Sequence, residues 1–186
     1  MQIDVTADRG VRLESDRALF TRVFLPHLQH AYRLARWMTG SAVDAEDVVQ
    51  EASLRAFRSI RDCNGTNPRG WALAIVRNTA NTWLTRNRRE RVRPDGEDAN
   101  GPTEDLDEDA DTETPETALL RKATVEEVRR AVDALPSRFR EVIVLREIEE
   151  LDYREIAEMI GIPLGTVMSR LSRARSMLFK ALGEKQ

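Results

Sequence analysis

The arginines near the end of the chain offer its clearest chemistry. Arg170, Arg173 and Arg175 are interleaved with serines on a run whose apolar members, Leu164, Val167, Leu171, Ala174 and Leu178, recur every three or four residues. That period belongs to a helix with its apolar stripe turned inward. The same register sends Gly165, Thr166, Met168, Ser169, Ser172 and Arg173 outward. Guanidinium and hydroxyl groups on one helix face neutralise phosphates and hydrogen-bond base edges; they break no covalent bonds.

Other reactive side chains do not assemble into a catalytic set. His27 and His30 stand three apart and could share a metal, but no Cys, Asp or Glu cluster sits beside them in sequence, so two surface histidines on a helix are the expectation. Cys63 is the single cysteine. It forms no internal disulfide and fits a reducing compartment. No glycine loop for cradling phosphate is present. These features exclude an enzyme and imply no cofactor and no metal. A second grouping is polar: Asp47, Gln50, Glu51 and Leu54 lie three or four apart, which places them on one stripe of a helix.

The elements that must position these groups read as helices throughout. Asp16 is expected to cap a helix through Phe20, Val23, Phe24, Leu28, Ala31, Leu34, Ala35 and Met38, with Pro26 kinking or restarting it and Gly40-Ser41 ending it. Asp44 is expected to cap the next, whose apolar stripe is Val48, Ala52, Leu54, Phe57 and Ile60. Arg61 to Asn67 is polar loop by composition. Asn67-Pro68 opens a third long helix with a capping amide followed by proline at the first helical position. Its inward face is expected to hold Trp71, Ile75, Thr79 or Ala80, and Trp83. Farther on, Thr124 and Glu127 form a capping box ahead of Val125, Val128, Val132 and Leu135. Pro136-Ser137 starts a helix carrying Phe139, Val142, Ile143, Leu145 and Ile148. Then comes a helix-turn-helix: Asp152 with Glu155 as a second capping box, Tyr153 as its first position, Ala157 at the close contact of the two helices, Gly161 in the turn and Val167 buried on the second helix.

Charge is segregated along the 186 residues. The formal net charge of −3 is the balance of +6 over residues 1–93, −11 over 94–127 and +2 over 128–186. What a phosphate feels is the field within about one Debye length, roughly 8–10 Å, so an acidic average does not argue against nucleic acid. From 94 to 116 the chain is rich in Asp, Glu, Gly, Pro and Thr, with Leu106 its one large apolar residue. Such a composition cannot bury enough surface to offset its ordering entropy. No run of about 18 apolar residues appears, and the opening residues do not read as a signal peptide. The expectation is therefore an all-α protein with two small helical domains. A three- to four-helix module at 14–93 and a four-helix helix-turn-helix module at 119–183 are joined by a disordered acidic linker at 94–118.

Two helical modules on a flexible tether, ending in this helix-turn-helix, resemble the extracytoplasmic-function sigma factors of bacteria. The residues that carry the resemblance are Asp44 to Ala52, Asn78 to Asn81, Leu135 to Val142, and Leu151 to Arg175. The resemblance implies a cytoplasmic protein, monomeric when free, that binds core RNA polymerase and promoter DNA and is held in check by an anti-sigma factor. By the same resemblance Asp47, Gln50, Glu51 and Leu54 face the polymerase. Arg61, Cys63, Asn64, Arg77, Asn78 and Arg86 serve the minus-ten element, where a base is flipped into a pocket. Asn78 would hold that base, and Arg77, Arg86, Arg88 and Arg89 would contact phosphates. Cys63 departs from the aromatic often found near its place. Arg146, Pro163, Gly165, Thr166, Met168, Ser169, Ser172 and Arg173 serve the minus-thirty-five element. Met168 departs from the basic residue common there; a thioether touches a thymine methyl but makes no bidentate guanine contact. Arg170 and Arg175 read as phosphate clamps or solvated charges. The acidic tether would thread the basic cleft of the polymerase or fold back over the basic modules. The rival of another class, a dimeric helix-turn-helix regulator, would need a sensing or dimerising N-terminal domain, and no βα alternation of that kind is seen.

Overall fold

The computed structural model describes residues 5–90 and 125–183. The expected acidic linker, the cap residue Thr124 and the side chains of Arg88 and Arg89 lie outside the described residues. Among those described, every regular element is helical, and the chain divides into two compact units, one on either side of the acidic stretch.

In the first unit α1 spans Val5–Val23 and α2 spans Leu28–Thr39, with the single turn Leu25–His27 between them. Pro26 lies in that turn. Its ring removes an amide donor, so the ladder stops at Val23 and restarts after the turn. Asp16 is not a cap: it lies inside α1, and its carboxylate accepts a hydrogen bond from Arg61 Nε at 2.8 Å. Gly10 is the one poor helix former in the preceding turns. A single glycine costs only about 1 kcal/mol, too little to stop the helix there.

Gly40 closes α2 in the left-handed conformation, φ 78°, where a residue without Cβ fits at no steric cost. The cap of α3 (Ala42–Arg58) is Ser41 rather than Asp44: the Ser41 hydroxyl accepts from the Asp44 amide, and Asp44 sits in the first turn. An acid there still complements the positive end of the helix dipole. α4 runs Pro68–Glu90, and the Asn67 side chain accepts from the Gly70 amide at 2.8 Å, as the Asn-Pro pair predicts.

The inner face of α4 is turned from the expected one. Ala72, Leu73, Val76, Thr79 and Ala80 are buried, whereas Trp71 and Ile75 pack half-buried against Phe24, Ala56 and Ala72. Trp83 is likewise half-buried. The facing surfaces of α2 and α3 are alanine-rich, with Ala31, Ala35, Ala45, Ala52 and Ala56 all buried. Three helices this close leave room for small side chains at the centre and for indoles only at the rim. The buried Thr79 hydroxyl donates to the Ile75 carbonyl at 2.8 Å, which meets its hydrogen-bonding need.

The second unit begins with α5 at 125–133, whose Val132 and nearby Leu135 are buried while Val125 and Val128 are exposed. The expected apolar stripe therefore faces the core only at its later end. α6 (Ser137–Ile143) follows, and Arg140 ties it back by donating to the carbonyls of Asp133 and Leu135. The ladder then widens into a π turn at Val144–Ile148, so Leu145 and Val144 both reach the core. Glu149 is fully buried directly after it, and Glu150 has φ 53°. That left-handed conformation costs a non-glycine residue about 1–2 kcal/mol. Glu150→Gly is expected to stabilise the unit by about 0.5–1 kcal/mol after glycine's own entropic penalty, a shift readable in urea denaturation midpoints.

α7 (Tyr153–Ile160) and α8 (Leu164–Gly183) complete the unit. The Asp152–Glu155 capping box is formed in both directions, and Gly161 turns the chain at φ 74°. Ile156 is the fully buried residue of α7; Ala157, expected at the close contact of the two helices, is half-buried, and its carbonyl accepts from the amides of Gly161 and Ile162.

Candidate functional site

Val167, Leu171 and Ala174 form the buried side of α8. Opposite them Gly165, Met168, Ser169, Ser172 and Arg173 are exposed, with Thr166 half-buried at the edge. The Ser169 hydroxyl donates to the Thr166 carbonyl at 3.0 Å. Pro163 is exposed just before the helix, and its carbonyl accepts from Thr166 and Val167. Seven of the eight residues expected for the minus-thirty-five element thus sit on one helix and the turn that starts it. Leu164 is the departure: expected in the core, it is 41% exposed. It is the first residue of α8 and borders an open cleft with Asp152, Tyr153 and Arg154 at the entry to α7.

Two arginines of this unit bind the protein itself. Arg146 donates to the Leu151 carbonyl at 2.9 Å and lies 5.2 Å from the Tyr153 ring centroid. It thereby braces the entry to α7 from the π turn and is half-buried there. Arg175 pairs with Glu147 at 2.7 Å, and its guanidinium is held above the usual arginine range by hydrogen bonds to Glu147 and Tyr153. Sequence periodicity alone left Arg175 as a phosphate clamp or a solvated charge; the ion pair joins α8 to the π turn instead.

On α3 the four residues expected to face a partner share one exposed stripe: Asp47, Gln50, Glu51 and Leu54 all lie opposite buried Ala45, Val48, Ala52 and Ala56. Leu54, also assigned to the apolar stripe, is 50% exposed and belongs to this outer one. Glu51 accepts from Arg55 Nε at 2.8 Å, one turn away. The stripe extends to Val43, 69% exposed and four residues before Asp47. The spacing of four was legible in the sequence, but nothing marked an isolated valine as exposed.

The loop before α4 is held by one long-range ion pair and by local bonds. Arg61 pairs with Asp16, the Cys63 amide donates to the Ile60 carbonyl at 3.3 Å, and the Asn64 side chain accepts from the Thr66 amide at 3.1 Å. Cys63 is half-buried and Asn64 exposed. Asn78 is exposed on α4 and accepts from Arg77 Nη1 at 3.0 Å, and Arg86 is exposed two turns on. Ten helical residues, Pro68 to Arg77, lie between Asn67 and Asn78, a rise of about 16 Å from one to the other.

His27 and His30 lie 6.4 Å apart between ring centroids. Guanidinium nitrogens of Arg33 and Arg69 come within 3.0 and 3.5 Å of His30 Nδ1. Burial, then the neighbouring His30 and Arg69, push the His27 pKa below its ordinary 6.5. A depressed histidine binds its proton more weakly in the fold than in the unfolded chain. The first unit should therefore lose stability as pH falls below about 6.5. His27→Gln is expected to flatten that slope in thermal melts between pH 7 and pH 5. Among the described residues no group of three or more His, Cys, Asp and Glu is arranged to hold a metal ion, and no helix is long and apolar enough to cross a membrane.

Comparison with known proteins divides the chain as its fold does. The family profile described as Sigma-70 region 2 matches residues 23–90, and that described as Sigma-70, region 4 matches residues 125–178. The chain is 34% identical over 171 residues to the RNA polymerase sigma-H factor of Pseudomonas aeruginosa, covering 90% of this chain and 88% of that one. It is 36% identical over 154 residues to the ECF RNA polymerase sigma factor SigE of Mycolicibacterium smegmatis, covering 82% of this chain and 57% of that longer relative. Among solved structures it shares a fold with the sigma factor RpoE of Bartonella quintana, crystallised with the anti-sigma factor NepR. The TM-score is 0.72 at 23% identity, over 90% of this chain and 98% of that one.

Proposed function

The chain belongs to the extracytoplasmic-function sigma factors of the sigma-70 family, and on that premise we propose that it binds core RNA polymerase and directs it to promoters. Sigma factors are initiation factors without enzymatic activity, so the chemistry required of it is binding alone. The observation that carries the reading is the exposed row Gly165, Met168, Ser169, Ser172 and Arg173, backed by buried Val167, Leu171 and Ala174 on a helix entered through the Gly161 turn. A helix so presented fits the major groove, where short polar side chains and an arginine meet base edges.

Three surfaces divide the work in this proposal. The α3 stripe of Asp47, Gln50, Glu51 and Leu54 docks on the polymerase. The loop with Arg61, Cys63 and Asn64, together with Arg77, Asn78 and Arg86, takes the minus-ten element. The α8 row takes the minus-thirty-five element, with Pro163 and Thr166 at its start and Arg146 bracing the turn behind it. An anti-sigma protein is the further partner, supported by the complex in which the similar fold from Bartonella quintana was solved.

The test is transcription in vitro with purified core polymerase over a promoter library. The expected result is initiation from a subset of templates that share two sequence elements. Initiation no different from core polymerase alone, with a palindromic footprint left by the protein on its own, would put a dimeric regulator in its place.

A further inference from the structure

Leu164 and Met168 stand one turn apart on α8 and are 41% and 52% exposed. On the same helix Val167, Leu171 and Ala174 are buried, and near its end Met177 and Phe179 are exposed again. With Asp152, Tyr153 and Arg154 from the start of α7 the two exposed side chains line an open cleft of about 440 Å³. The Asp152 carboxylate borders this cleft while capping α7, one oxygen accepting from the amides of Arg154 and Glu155 at 2.7 and 2.8 Å. The exposed charges at the rim are Asp152, engaged in capping α7, and Arg154, and Arg173 is exposed farther along α8. Gly165, between the two apolar residues, is exposed, and a Cβ there would meet nothing within 4 Å. Bare backbone at that point lets a second molecule come close.

An apolar pair at the leading end of a helix proposed to read DNA, with Arg154 exposed at its side, calls for a base edge with an apolar group of its own. In the major groove that group is the C5-methyl of thymine. Seating a guanine or a phosphate there would press polar atoms against a leucine and a thioether without a hydrogen bond in return. We infer that Leu164 and Met168 read thymine methyl groups in the upstream promoter element. The inference rests on the promoter-binding role proposed above. It adds a chemical specificity to it: the helix distinguishes thymine from uracil at the positions these two side chains reach.

The experiment uses the full chain with core polymerase on a promoter recovered from the library. Each thymine of its upstream element is replaced singly by deoxyuridine, which removes the methyl and leaves the hydrogen-bonding edge intact. One or two positions should lose about fourfold in affinity, the value of one methyl buried from water. In Met168→Ala the penalty at one such position should vanish, whereas Met168→Leu should keep it. Circular dichroism melts check that both variants fold. If every uracil substitution stays within about 1.5-fold while the natural promoter initiates normally, the inference is overturned and the function stands. Weaker initiation in Met168→Ala with the thymine preference unchanged would also overturn it, assigning the patch to a protein partner. Absence of promoter-directed initiation altogether would overturn the function and the inference together.

Discussion

Leu171→Ala is expected to destabilise the second unit by about 2–5 kcal/mol, the usual cost of truncating a buried leucine. Leu171 is 1% exposed at the middle of α8, on the side away from Ser172 and Arg173. It shares the core with Val142, Leu145, Ile156 and Val167, none more than 1% exposed. The cavity it leaves is lined by groups already fixed by α6, the π turn and α7, so little collapse can refill it. A domain of this size has only about 5–15 kcal/mol of net stability. The variant should therefore lose promoter binding at physiological temperature although every outward-facing residue of α8 is unchanged. Urea denaturation followed by tertiary-structure signals measures the loss. A midpoint within about 0.5 kcal/mol of the parent would contradict the packing. Ser172→Ala, one residue on and exposed, serves as the comparison, with an expected change in stability within about 0.5 kcal/mol.

The second large effect concerns the α3 stripe. Asp47→Lys combined with Glu51→Lys is expected to weaken binding to core polymerase by at least about thirtyfold, the scale of an interface hot spot of 2 kcal/mol. Both side chains are exposed, and Val48 and Ala52 beneath them stay buried. The fold should be little affected beyond the loss of the Glu51–Arg55 pair; an exposed i,i+4 pair is worth only about 0.3–0.5 kcal/mol. Equilibrium binding of labelled protein to core polymerase gives the affinity, and a thermal melt run beside it separates lost contact from lost structure. Parent-like affinity at moderate salt would remove this stripe from the proposed docking surface. Val43→Ala and Leu54→Ala extend the test to the two exposed aliphatics at its ends.

Local signals settled much of the architecture in advance. Gly40, the Asn67-Pro68 pair, the Asp152–Glu155 box and Gly161 each act over three or four residues, and each is found doing what its chemistry dictates. Errors arose where a signal had a competitor of equal local strength. Asp44 and Ser41 are both good caps; the chain uses the earlier one, because the helix gains a turn by starting there. Asp16 looked like a cap because polar residues precede it, yet they also suit a helix interior. Indoles on α4 were assigned to the core by their hydrophobicity, but their volume excludes them from a centre walled by alanine.

The sequence by itself determined the helical class, the turn that sets α7 against α8, the outward polar row of α8 and the family. All of these rest on short-range periodicity and on motifs whose order along the chain is itself informative. Tertiary structure alone decided which residue of each stripe lies deepest, that Leu164 faces solvent, that Glu149 is enclosed beside a π turn, and that Arg146 and Arg175 brace the fold. Arg61 finds Asp16 across 45 residues and Arg175 finds Glu147 across 28. A period of 3.6 residues fixes a stripe only to within its own width. Which part of that width is buried, and which charge meets which, depends on the shape of elements distant in sequence, and no local pattern encodes that shape.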